Sequence, residues 1–302
     1  MSHIYEALRR ASESPVADGQ GAAWAHNPTS ALEHYSGEGR PSSDRADGAR
    51  RLRPDPPEIA ESDTAGRRPP GRASAEYEGK LVAGRGRTSV SAEHYRGLAA
   101  TLHEAQLDRG LKTVAVASAA RHEGKTLTVV NLALTLSESY ARRVLVIDAD
   151  LRCPSVHRVL GIPNEAGLSE ALVRARSPLP LIDVSPLLYV LPAGHPEPNP
   201  LARLSSGRMQ ALLDECAARF DWVLLDTPPV GVMADAQLLA RQVQGVVFVI
   251  GAGATPFSAV ERAVLELGRE CIIGTVLNGV DERSLPPTPS YGHHPRSADP
   301  AR

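Results

Sequence analysis

Apolar and polar positions alternate in different rhythms along this chain. In SHIYEALRRASES, from Ser2, the apolar residues Ile4, Ala7, Leu8 and Ala11 recur at i, i+3, i+4 and i+7. That spacing draws one apolar stripe along a helix, with Ser2 as its N-cap. A helix this short is marginal alone in water, so residues 1–14 are expected either to dock or to fray. Residues 15–88 carry no period. RPDPPEIAESDTAGRRPPGRASAE is rich in Pro, Gly, Ser, Arg and Asp and has little to bury, so it reads as a disordered linker.

Residues 89–283 behave differently. SAEHYRGLAATLHEAQ predicts a helix capped near Ser89 or Ser91. Short, near-continuous apolar runs then alternate with helical ones. The expected strands are KTVAVAS from Lys112, RVLVIDA from Arg143, LLYVLPAG from Leu187, DWVLLDT from Asp221, GVVFVIGAG from Gly245 and IIGTVLNGV from Ile272. Runs that are apolar on both faces suit parallel strands covered on both sides. The intervening EGKTLTVVNLALTLSESY, SSGRMQALLDECAARF and PFSAVERAVLELGRE read as helices. The alternation predicts a doubly wound α/β fold with a mostly parallel sheet. Residues 284–302 form a Pro-rich tail, expected to be disordered.

Composition narrows the picture. The chain has 302 residues, 42% of them hydrophobic, and a formal net charge of -2. That length holds one sizeable domain with additions. The near-neutral balance gives no global basic field for nucleic acid. Three scattered cysteines, Cys153, Cys216 and Cys271, make no metal-type spacing and suit reduced thiols in the cytoplasm. No signal peptide is expected, and the longest apolar run, near Gly245, is too short to span a bilayer. Any membrane role is therefore expected to come through a partner.

Three motifs carry the chemistry. The first strand runs into SAARHEGKTL, from Ser118. A strand, a loop and a helix opening in Gly-Lys-Thr make the context of a phosphate-binding loop, where backbone N–H groups face the phosphates. The candidate nucleotide contacts are Ala119, Ala120, Arg121, His122, Glu123, Gly124, Lys125, Thr126 and Leu127. Lys125 would meet the β- and γ-phosphates, and Thr126 would offer its hydroxyl to Mg²⁺. The alternative is a helix start with an incidental lysine. The second strand ends in VLVIDADLR, which places Asp148 and Asp150 where ligands sit in open α/β sheets. This pair suits Mg²⁺ and a general base for a hydroxyl nucleophile, or else caps the next helix. Arg152 contacts phosphate, pairs with a neighbouring subunit's acid, or is simply exposed. WVLLDTPP matches a Walker B element, with Asp226 holding Mg²⁺ through water.

Together these motifs resemble the bacterial tyrosine kinases (BY-kinases) of capsule and exopolysaccharide systems, within the deviant P-loop ATPases that include the MinD and ParA groups. VLVIDADLRCPSVH is the most specific element. GLSEAL, LPAG, LSSGRM, FDWVLLDTPPV and VLNGV follow the same order. The resemblance covers about Ser89 to Asp281.

It implies an ATP- and Mg²⁺-dependent protein-tyrosine autokinase that regulates polysaccharide polymerisation or export. Lys125, Asp148, Asp150 and Arg152 are then catalytic. Asp148 orients or deprotonates the tyrosine hydroxyl, while Thr126, Asp150 and Asp226 serve the metal. Asn278 falls where such folds bond the adenine edge, or else forms a turn before Gly279. Glu93 and Arg96 are implied oligomer contacts. The implied partner is the cytosolic tail of a membrane adaptor or co-polymerase, which recruits the cytoplasmic kinase to the inner face of the membrane. A homo-oligomer is also implied, without nucleic acid and without a membrane span of its own.

The chain departs from the family pattern in three places. Arg121 and His122 replace the Pro-Gly usual in the loop, Ala99 replaces an interface arginine, and the tail has Tyr291 instead of a tyrosine cluster. Tyr77 and Tyr35 are further candidate phosphoacceptors, or solvated tyrosines without a role. These departures leave room for a catalytically weak, nucleotide-gated interaction protein.

Overall fold

A computed structural model describes residues 76–77, 79–82, 89–173 and 178–280. The expected N-terminal helix, Tyr35 and Tyr291 lie outside these residues. The described part opens with α1 (Val90–Arg109). Ser89 caps it by accepting a hydrogen bond from the Ala92 N–H, and Gly110 ends it at φ 67, a conformation glycine adopts freely. Next come β1 (Thr113–Ser118), α2 (Lys125–Ser139), β2 (Val144–Asp148), α3 (Val156–Leu160) and α4 (Leu168–Val173). The chain continues through β3 (Ile182–Ser185), β4 (Leu188–Leu191), α5 (Pro200–Leu204), α6 (Gly207–Arg219) and β5 (Trp222–Asp226). It closes with α7 (Ala234–Ala240), β6 (Gly245–Gly251), α8 (Phe257–Leu267) and β7 (Ile272–Asn278).

The seven strands are ordered β3-β4-β2-β5-β1-β6-β7. All neighbouring pairs are parallel except β3 with β4, which are antiparallel. Successive strand residues face opposite sides of the sheet. Val114 and Val116 therefore join α1, α2 and α3 in one core, while Ala115 and Ala117 join α6, α7 and α8 in the other. Burial on both faces explains why these strands read as unbroken apolar runs. The six expected strands are all present. The edge strand β3 and the short helices α3, α4, α5 and α7 went unpredicted, because segments of four to seven residues carry too few turns to show a period.

Part of the segment expected as linker is held on the domain. Asn131 of α2 is 2% exposed. Its Oδ1 accepts from the Val82 N–H at 2.9 Å, and its Nδ2 donates to the Lys80 carbonyl at 3.1 Å. Tyr77 and Leu81 pack against the core beneath, with the Lys80 ammonium 5.4 Å from the Tyr77 ring centre. The buried amide explains this seating, since it would otherwise leave unpaired polar groups in the core. Among the described residues, no helix is long and apolar enough to cross a membrane.

Candidate functional site

Sheet order assembles the site. β5 lies between β1 and β2, so the ends of all three strands are adjacent. In register, Asp148 faces Asp226 across β2 and β5, and Asp226 faces Val116 of β1. The loop 119–124 leaves β1 two residues beyond that point and feeds α2. Residues far apart in sequence thus meet at the carboxyl edge of the sheet, where open α/β folds place their ligands.

The loop is pinned from the β6 and β7 side. The Glu123 side chain is 5% exposed and turns inward. Its carboxylate accepts from the Ala120 N–H at 2.5 Å, from the Gly251 N–H at 3.2 Å, and from the Thr255 hydroxyl. Burial works against its charge, but these donors prevail and hold its pKa below the usual glutamate range. Asn278 donates from Nδ2 to the Glu123 carbonyl at 2.9 Å. Gly124, at φ 90, passes so close that a Cβ there would stand 1.9 Å from Asn278 Nδ2. The structure thus seats Asn278 beneath the loop as a brace. His122 has φ 65, and His122 and Ala141 are the two non-glycine residues of positive φ among those described. Arg121 and His122 are exposed, whereas Lys125 is buried at the start of α2.

The acids form a second layer. Asp148 is fully buried. Its Oδ2 accepts from the Ser155 and Val156 N–H groups, each at 3.0 Å, so it caps the start of α3. Its Oδ1 has no hydrogen-bond partner, and neither has Oδ1 of Asp226. Asp226 Oδ2 accepts from the Thr126 hydroxyl at 2.6 Å. Asp150 accepts from the Cys153 N–H at 3.0 Å and so turns its own loop.

Burial, then the neighbouring charge of Asp226, drives the pKa of Asp148 well above the aspartate range. Burial likewise pushes Asp226 up to about 7, against the opposing pull of Thr126 and Lys125. Two buried carboxylates with unpaired oxygens are costly unless a cation completes them.

Mg²⁺ fits this donor set. It takes one or two carboxylates and keeps waters and phosphates as its other ligands. Among the described residues, no three His, Cys, Asp or Glu side chains form a metal cage by themselves.

The other expected residues fall as follows. Ala119, Ala120 and Leu127 line the loop and the first turn of α2. Arg152 makes a two-point ion pair with Asp235, a partner outside the sequence expectations. Nε lies 2.7 Å from Oδ2 and Nη2 lies 3.3 Å from Oδ1. Glu93 and Arg96 pair with each other on the outer side of α1, while Ala99 is wholly buried. Sequence reasoning missed Ser155, Thr255 and Asp235. Their contacts with Thr126, Glu123 and Arg152 span 29, 132 and 83 residues, and no spacing rule reaches so far.

No family model matches the chain. Over 210 residues it is 35% identical to the tyrosine-protein kinase YwqD of Bacillus subtilis (strain 168), covering 68% of this chain and 87% of that one. The chain belongs to the bacterial tyrosine kinases. The putative tyrosine-protein kinase CapB of Staphylococcus aureus is 29% identical over 194 residues, which cover 85% of its length. Among solved structures, the kinase domain of the Escherichia coli tyrosine kinase ETK superposes with a TM-score of 0.61. It shares 30% identity and covers 68% of this chain and 82% of that one. This tyrosine kinase therefore carries its family's P-loop fold on the described residues. The matched part amounts to 29% of the Salmonella typhi tyrosine-protein kinase wzc.

Proposed function

We propose that this kinase transfers the γ-phosphoryl group of ATP to tyrosine hydroxyls, its own included, and thereby regulates capsule or exopolysaccharide polymerisation or export. The reading rests above all on Asp148 and Asp226, two buried acids with unpaired oxygens beside a Gly-Lys-Thr loop. When bound, Mg²⁺ would neutralise charge on the phosphates, and Thr126, Asp150 and Asp226 are the residues to hold it.

Lys125 supplies positive charge to the β- and γ-phosphates. Asp148 takes or orients the proton of the incoming hydroxyl, a role suited to a carboxylate whose pKa is raised. The loop amides bind and orient the phosphates. The bond made is tyrosine oxygen to phosphorus, and the bond broken joins the γ-phosphorus to its bridging oxygen. ADP leaves, and the hydroxyl proton passes to Asp148 and then to solvent.

Tyr77, Tyr35 and Tyr291 are the proposed acceptors. The proposed partner is the cytosolic tail of a membrane adaptor, which would recruit the kinase to the inner face of the membrane. Self-association would use Glu93 and Arg96. Ala99, being buried, adds nothing to that surface.

The test is phosphotyrosine detection on purified protein in Mg-ATP, with and without the adaptor tail. We expect a signal that Lys125→Met reduces at least a hundredfold, the scale of losing one charge-stabilising group. Nucleotide binding without any Lys125-dependent phosphotyrosine would sink the reading.

A second reading has specific support. His122 at positive φ and the missing arginine at position 99 favour a nucleotide-gated interaction protein with weak transfer. Left-handed backbone disfavours side chains by roughly 1 kcal/mol, and the imidazole adds bulk beside the phosphates. His122→Gly should tighten ATP binding roughly fivefold, equivalent to about 1 kcal/mol. Titration of ATP against both proteins decides this, and equal affinities would make His122 neutral.

A further inference from the structure

Ser155 follows the loop after Asp148 and precedes α3, and no part of the proposed function uses its side chain. Its hydroxyl lies 2.7 Å from the Thr126 hydroxyl. Its own N–H donates to Asp148 Oδ2 at 3.0 Å. One residue thus touches both the first turn of α2 and the buried acid of β2, across 29 positions of sequence.

Proton counting fixes the direction of the contact. With Asp226 ionised, the one proton of the Thr126 hydroxyl goes to Asp226 Oδ2 at 2.6 Å. A hydroxyl that has donated its proton can only accept from a second hydroxyl. Ser155 is therefore the donor and Thr126 the acceptor. Thr126 keeps one further lone pair free.

A helical threonine divides its time between two rotamers, because its oxygen can also turn back to a carbonyl one turn earlier. Donation from Ser155, together with acceptance by Asp226, holds Thr126 in the rotamer that faces the acids.

We infer that Ser155 is a positioning residue for the cation that accompanies nucleotide, acting through Thr126. This rests on the nucleotide reading of the site. Ser155 would set how much Mg²⁺ is needed to bind nucleotide, without touching the nucleotide itself. A merely structural serine, filling space at the start of α3, would leave that requirement unchanged.

The test is a thermal-unfolding titration of the full chain with Mg²⁺ at fixed ADP. Wild type should show a rise in midpoint that depends on Mg²⁺, as expected when a ligand binds only the folded state. For Ser155→Ala, the Mg²⁺ concentration giving half of that rise should increase roughly fivefold, the scale of one lost hydrogen bond. The shift produced by ADP without Mg²⁺ should match wild type. Ser155→Thr keeps the hydroxyl and should restore the wild-type midpoint. Should the alanine variant not fold, Ser155→Cys, a weak donor of similar size, carries the same expectation.

A half-rise concentration unchanged by the loss of the hydroxyl overturns the inference while leaving the nucleotide site standing. Failure of Ser155→Thr to restore it also overturns the inference. A wild-type protein with no Mg²⁺-dependent shift would sink the nucleotide reading and this inference together.

Discussion

Asp226→Asn should make the protein more stable and nearly inactive. Asp226 lies in register with Asp148 and is 1% exposed, so two like charges are buried on adjacent strands. An amide keeps the acceptor that Thr126 needs but removes one charge. At pH 8, without metal or nucleotide, unfolding free energy should rise by roughly 2 kcal/mol, the order expected on removing an unpaired buried charge.

The pH dependence follows from the raised pKa. Asp226 titrates near about 4 when unfolded and is pushed up to about 7 when folded. The folded state binds the extra proton between those values. Its contribution to stability is therefore complete below the lower value and lost as pH rises through the upper one. The difference in stability between Asp226→Asn and wild type should grow across that window. Tyrosine phosphorylation should fall at least a hundredfold, because charge on the phosphates loses a counter-ion ligand. Denaturant unfolding at several pH values tests the first half. A variant less stable than wild type at pH 8, or one still active, contradicts the account.

Gly124→Ala should be the most damaging small change in the loop. Its φ of 90 disfavours any side chain, and the added Cβ would lie 1.9 Å from Asn278 Nδ2. The substitution also displaces the amide that bonds the Glu123 carbonyl. Backbone strain and a lost half-buried contact together should cost roughly 2–4 kcal/mol. Nucleotide affinity should fall at least tenfold, or about 1.4 kcal/mol, because the loop amides no longer converge.

Asn278→Ala separates the two causes. It removes the clash but not the unfavourable φ. The double variant should be less destabilised than the sum of the single ones, a coupling expected only for residues in contact. Additive losses in urea unfolding would show that the brace does not exist.

Much of this was legible in the sequence, for physical reasons. Strands such as Thr113–Ser118 and Trp222–Asp226 are buried on both faces, so their composition alone marks them. Gly124, Lys125 and Thr126 open α2, and Asp148 and Asp226 end β2 and β5, where local motifs announce their place. The strain at His122 was also legible, as a non-glycine residue in a loop position that prefers glycine.

What stayed hidden depends on strand order. Placing β5 between β1 and β2 is what brings Asp226 to Asp148. The same ordering brings Thr255 to Glu123, Asp235 to Arg152 and Ser155 to Thr126. Asn131, the one polar residue between Val129 and Leu134 of α2, was the trace of the seat for residues 79–82.

The fate of the γ-phosphate tests the central claim most directly. With γ-labelled ATP and Mg²⁺, the account predicts label on tyrosine that depends on Lys125 and on Asp148. Label released only as inorganic phosphate, with none on tyrosine in the presence of the adaptor tail, would contradict it.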